Sequence, residues 1–105
     1  MSKSSTTADT DWLDLPTAGG VLLCEFMEPL ELTTDELASA LLVDADKLDS
    51  ARAGKVPIDA ELDLRLTRYF QLSEGYFLRI QTRLETLAAK RALNGELDRI
   101  MPRAA

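Results

Sequence analysis

The sequence predicts an all-α fold, a compact five-helix domain built on a helix-turn-helix unit with a C-terminal helical extension, and three observations carry that reading. No stretch of the 105 residues alternates apolar and polar positions as a half-buried strand would. From Leu32 to Gly54 the chain reads LTTDELASALLVDADKLDSARAG, two short helical patterns joined by a tight turn and closed by a glycine. Elsewhere the apolar residues recur at helical spacing. A composition of 46% apolar and 29% charged residues is globular rather than disordered. A chain this short buries about two-thirds of its unfolded surface, so one core must serve the whole domain. The expected division is a polar arm over 1–16, the helix-turn-helix domain over 17–94 and a tail over 95–105.

Each element has its own signal. The opening MSKSSTTADTD is small and polar, and Trp12-Leu13-Asp14-Leu15-Pro16 follows it as an apolar patch. That patch can pack on the domain as an arm, or bind a partner with Trp12 as anchor. The first helix is expected after Gly19-Gly20, with Leu22, Phe26 and Leu30 at i, i+4 and i+8 forming one stripe and Glu25 and Glu28 pointing away. The lone Cys24 cannot close an internal disulfide and reads as a small buried hydrophobe.

The second helix opens at Thr33 with Glu36 three residues on, the spacing of a capping box, and turns Leu37, Ala38 and Leu41 inward. The third starts from Asp44 as N-cap, buries Leu48 and Ala51 and stops at Gly54. After the Pro57 loop, a fourth helix capped by Asp59 buries Leu62, Leu66 and Phe70, with Arg65 and Arg68 on its outer side. Ser73 and Glu74 open the fifth and longest, where Phe77, Ile80, Leu84 and Leu87 keep helical spacing until Asn94-Gly95.

Charge narrows the function. Residues 1–46 hold ten acids and one base, a local −9, whereas residues 47–105 hold eight acids and eleven bases, a local +3. Phosphates are repelled by the front half, so nucleic-acid contacts must come from later helices. Arg52, Lys55, Arg65, Arg68, Arg79 and Arg83 are the candidate phosphate contacts. An enzyme is not expected. There is no histidine, the one cysteine lacks an imidazole to activate it, and no metal-ligand cluster or glycine-rich phosphate loop occurs, so no catalytic residue, metal or cofactor is assigned. No apolar run approaches the roughly 18 residues of a membrane span and no signal-peptide block opens the chain, which points to the cytoplasm.

Between Gly20 and Gln81, the ordered series EFMEPL, LTTDELASAL, Gly54-Lys55, LRLTRYF and YFLRIQ resembles the HigA-type antitoxins, a branch of the Xre-like helix-turn-helix regulators. With the tail included, the resemblance covers about four-fifths of the chain. It implies a lambda-repressor-like homodimer that binds palindromic operator DNA, represses its own operon and neutralises a small basic ribonuclease toxin. In that geometry Ala45, Asp46 and Ser50 face the bases, while Thr33, Thr34 and Lys55 touch phosphates. Lys47 and Arg52 complete the expected DNA surface.

The sequence departs from the family at the head of the third helix, where Asp44, Asp46 and Asp49 replace the usual serines, amides or arginines. Asp46 can still accept a hydrogen bond from cytosine. The family's helix-ending glycines are replaced by Glu31, Leu42 and Gln71, so those turns must either relax or hold a left-handed backbone at about 1 kcal/mol each. An alternative reading follows: the fold serves protein binding through an acidic face of Glu25, Glu28, Glu31, Asp35, Asp44, Asp46 and Asp49, with Asp44, Asp49 and Trp12 contacting a basic partner.

Overall fold

The computed structural model describes residues 16–104, so Trp12 and nearly all of the arm lie outside the described residues. Among the described residues five helices follow in order: α1, Ala18–Val21 continuing as a π-helical turn over Leu22–Met27; α2, Thr34–Leu41; α3, Ala45–Arg52; α4, Ala60–Phe70; and α5, Tyr76–Leu93. A 3-10 turn, Glu96–Arg99, forms the helical extension. Among the described residues there is no strand.

The first helix departs from the sequence reading. It begins before the two glycines, where Thr17 accepts the Gly20 N–H at 3.0 Å as N-cap. The reason is packing. A Cβ on Gly19 would lie 1.7 Å from the carbonyl oxygen of Ala51, so only glycine lets α1 cross the end of α3 at that distance. The π turn then adds a residue per turn, which places Leu22 and Met27, five apart, in the core. As a result Leu30 is 60% exposed instead of completing the stripe, and Cys24 is exposed instead of buried.

The core gathers Leu22 and Met27 of α1, Leu37, Ala38 and Leu41 of α2, Leu48 and Ala51 of α3, Ile58, Leu62 and Leu66, and Phe77 of α5. Phe26 sits among the rings of Phe70, Phe77 and Tyr76 at centroid distances of 5.0, 5.3 and 6.0 Å. Such tilted and edge-on contacts add about 0.5–1.5 kcal/mol each beyond burial. Leu87 of α5 is 38% exposed, so the buried face of that helix ends near Leu84.

Three polar devices close the assembly, and the sequence reading contained none of them. The carboxylate of Asp63, buried on α4, accepts the N–H groups of Gly75 at 2.7 Å, Phe77 at 2.9 Å and Leu78 at 3.3 Å. This capping from another helix is why α5 opens at Tyr76 rather than at Ser73, its N-cap being the left-handed Gly75. Gln81 on α5 accepts the Ile58 N–H at 2.7 Å and donates to the Ile58 carbonyl at 2.9 Å, tying down the loop after α3. Arg65 is not a solvated outer arginine. It donates to the Leu41 and Leu42 carbonyls at 2.9 and 3.3 Å, satisfying the end of α2.

Candidate nucleic-acid interface

The helix-turn-helix unit forms as its sequence dictates. Thr33 accepts the Glu36 N–H at 3.1 Å while Glu36 accepts the Thr33 N–H at 2.9 Å, completing the capping box at the head of α2. Leu42 ends α2 in the left-handed conformation with φ 61°, and two residues later Asp44 takes the extended backbone of an N-cap. Its side chain, however, makes no capping bond, so the Asp44 carboxylate remains turned to solvent. Glu31 and Gln71 also hold left-handed backbones, φ 55° and 59°, so the non-glycine turns have kept their shape rather than relaxed.

The expected contact residues cluster around α3. Asp46, Lys47 and Asp49 are exposed, Ala45 and Ser50 are half-buried, and Ala45 leans against the core. Thr33 is exposed beside a half-buried Thr34 at the head of α2. Gly54, at φ 80°, turns the chain back after α3 so that the Lys55 N–H reaches the Ser50 carbonyl at 2.9 Å. The turn leaves the Lys55 ammonium exposed and, among the described residues, without an ion pair.

Electrostatics separates these residues further. Lys47 reaches Asp59 at 3.5 Å, and Arg52 pairs with Asp49 one turn back, its Nε at 3.1 Å from the carboxylate. Both cations of α3 are therefore engaged within the chain, whereas Asp44 and Asp46 have no ion pair among the described residues. Exposed pairs of this kind contribute about 0–1 kcal/mol, so a phosphate can draw either cation away. Asp59 itself is held below its usual value first by the Leu62 N–H and then by Lys47.

The remaining candidate cations divide. Arg79 is spent on the Ser73 hydroxyl at 2.7 Å and the Glu74 carbonyl at 3.1 Å, and Arg65 on the end of α2 and on Glu61. Arg68 and Arg83 stay exposed. The signal for Asp63 was present in the sequence, since it lies between Leu62 and Leu66 on the apolar side of α4, where an acid needs a partner. Among the described residues, no group of three or more histidine, cysteine or acidic side chains is arranged to hold a metal ion, and no helix is long and apolar enough to cross a membrane.

No family model matches the chain. It is 29% identical over 69 residues to an uncharacterised HTH-type transcriptional regulator, YbaQ, of Escherichia coli K12, and the match covers 66% of this chain but 61% of that protein. Among solved structures it is similar to a Pseudomonas aeruginosa protein, PA4674, in complex with 18 bp of its operator DNA, at 28% identity and a TM-score of 0.76, covering 89% of this chain and 99% of the other. The antitoxin HigA of Pseudomonas aeruginosa with the higBA promoter shares the fold at 24% identity and a TM-score of 0.74, covering 85% and 97% of the two chains. A HigA-family addiction module antidote protein from Coxiella burnetii also shares it, at 20% identity and a TM-score of 0.74, covering 82% and 95%.

Proposed function

We propose that this chain, whose fold and sequence fit the HigA-type helix-turn-helix family, is a DNA-binding transcriptional regulator that represses its own operon. The likeness to an operator-bound protein along 89% of the chain carries this reading, because it spans the α2–α3 unit and the core that orients it. On the operator, α3 enters the major groove and presents Asp46 and Ser50 to base edges, with the Ala45 methyl beside them. Thr33, Thr34 and Lys55 take phosphates, and Lys47 and Arg52 join them by leaving Asp59 and Asp49.

An acidic reading helix restricts what it can read. Asp46 has only acceptors to offer, and the acceptor-only partner of a major-groove donor is best matched to the N4 amino group of cytosine. The operator should therefore carry a cytosine opposite Asp46 in each half-site. A palindrome calls for a two-fold protein, and exposed Leu93, Leu97, Ile100 and Met101 at the C-terminal end offer an apolar surface for a homodimer. The same chain would act as an antitoxin by binding a small basic ribonuclease. Asp44 and Asp46, exposed and without an ion pair among the described residues, favour that second role, since a cationic partner needs uncompensated acids.

The test is a mobility shift with the folded protein, at low salt, on the DNA immediately upstream of its own gene. A retarded band that weakens steeply with added salt and requires both half-sites is expected; no shift at any concentration would remove operator binding and leave the acidic-face reading.

A further inference from the structure

We infer that Gln81, a residue of α5 outside the helix-turn-helix unit, is a positioning residue for DNA binding: it holds the loop after α3 in the shape that brings Lys55 to a phosphate, a role that rests on the operator-binding reading above. Lys55 to Pro57 are exposed, Val56 by 44%, so their side chains gain little from packing. In that stretch only the next residue, Ile58, is buried, at 2%. The shape of the loop therefore depends on what holds its backbone.

Two ties hold it, one at each end. At the near end the Lys55 and Val56 N–H groups share the Ser50 carbonyl, at 2.9 and 3.4 Å, so α3 itself secures only the first turn of the loop. At the far end the Gln81 amide closes a ring with one residue, its Oε1 accepting the Ile58 N–H at 2.7 Å and its Nε2 donating to the Ile58 carbonyl at 2.9 Å. Pro57 between them has no N–H to add a third tie, but its fixed φ and the extended backbone it favours at Val56 make the span stiff. Lys55 lies three residues from Ile58, at most about 11 Å of chain, so the position of Ile58 sets the direction in which the loop leaves α3. The head of α4 is held separately, because Asp59 accepts the Leu62 N–H at 2.8 Å. Loss of the Gln81 ring is thus confined to the loop, which would then hang from α3 alone. A loop ordered before DNA arrives loses no further freedom on binding, and that difference appears as affinity.

Gln81→Met keeps the length of the side chain and removes both bonds, and it is measured by operator titration alone and combined with a change at each of two proposed phosphate contacts. By itself it should weaken binding roughly fivefold, the weight of about one net hydrogen bond. The slope of affinity against salt should fall by about one phosphate contact. With Lys55→Gln already in place it should change neither quantity, whereas with Thr34→Ala in place the loss should be as large as in the unaltered chain. In the free protein, amide exchange should quicken at Ile58 and stay unchanged at Phe77, whose N–H is held by Asp63. If circular dichroism shows Gln81→Met unfolded, Gln81→Asn, a methylene too short to reach both Ile58 groups, takes its place. A loss of equal size in all three backgrounds, or none in the unaltered chain, would overturn the positioning role and leave operator binding standing. No shift by the unaltered chain would overturn operator binding, and the positioning role with it.

Discussion

The buried carboxylate of Asp63 accepts the backbone N–H of Phe77 at 2.9 Å, and this bond from α4 starts the helix whose first turn closes the core. Because Gly75 and Leu78 donate to the same group, removing it strands several partly or fully buried donors at once. A stranded buried donor costs about 1–3 kcal/mol. Asp63→Ala is therefore expected to lose roughly 3 kcal/mol or more of stability, and Asp63→Asn, which keeps one acceptor oxygen, a smaller part. Urea denaturation checks it, and a midpoint for Asp63→Ala equal to that of the unaltered chain would refute the capping role.

Two adjacent glycines give a contrasting pair. A Cβ on Gly19 would collide with the Ala51 carbonyl, whereas one on Gly20 would meet only the Thr17 hydroxyl at an ordinary 3.5 Å. Gly19→Ala must push α1 off α3, an overpacking change worth about 1–3 kcal/mol or more. Gly20→Ala lies within a helix and should be neutral or stabilising by up to about 1 kcal/mol. Because α3 is the element displaced, Gly19→Ala should also weaken operator binding, whereas Gly20→Ala should not. Thermal melts and mobility shifts on the two variants separate the effects, and equal behaviour would count against the close crossing.

Left-handed turns without glycine leave room for improvement. Leu42 and Gln71 sit at φ 61° and 59° and are both exposed, so each side chain gives up little burial if removed. Leu42→Gly and Gln71→Gly should each stabilise the domain by up to about 1 kcal/mol, with additive effects because the two turns are separate. Destabilisation at Leu42 would mean that its exposed side chain covers something the turn geometry does not reveal.

How far the sequence spoke depends on which force set each element. The α2–α3 unit was readable because Thr33, Glu36, Leu37, Leu41 and Leu48 act locally, through caps and a single helical period. Asp59 as cap of α4 was readable for the same reason. Gly19, Gln81 and Arg65 were not, since each acts on a segment distant in sequence, and spacing within one helix says nothing of the neighbour it meets; Asp63 was visible only as an acid on an apolar helix face, and its partners at the head of α5 were not. Cys24 and Leu30 went astray because a π turn breaks the 3.6-residue period on which both were placed. The three glycine replacements were visible, but whether the turns would relax was decided only by the folded backbone.

Asp59 gives a pH signature. The Leu62 N–H, with Lys47 behind it, holds this carboxyl below its ordinary value of 3.8. The folded state therefore binds its proton less readily than the unfolded chain, so the contribution to stability is complete above about pH 4 and is lost as pH falls through the depressed value. The side chain is 57% exposed, which keeps the effect small. Asp59→Ala should cost about 1 kcal/mol near neutral pH, the usual worth of an N-cap, and the gap between the two proteins should narrow below pH 4. Unfolding curves from pH 7 to pH 2.5 test the sign; a gap that widens on acidification would reverse the assignment.

The acids of α3 give the sharpest prediction about DNA. Asp49 holds Arg52, and Asp46 stands exposed with no ion pair among the described residues, so the two carboxylates play different parts on the same helix. Asp49→Asn removes a charge that repels phosphates and releases Arg52 toward them. It should tighten binding to operator and unrelated DNA alike and steepen the dependence on salt by roughly one phosphate contact. Asp46→Asn also relieves repulsion, but it exchanges an acceptor-only group for an amide that can both donate and accept. Preference for cytosine at one base pair per half-site should then fall by about 1–3 kcal/mol, with adenine gaining, while non-specific affinity rises. Binding titrations against operators substituted at each position measure both quantities, and an Asp46→Asn protein with unchanged base preference at every position would remove Asp46 from the reading head.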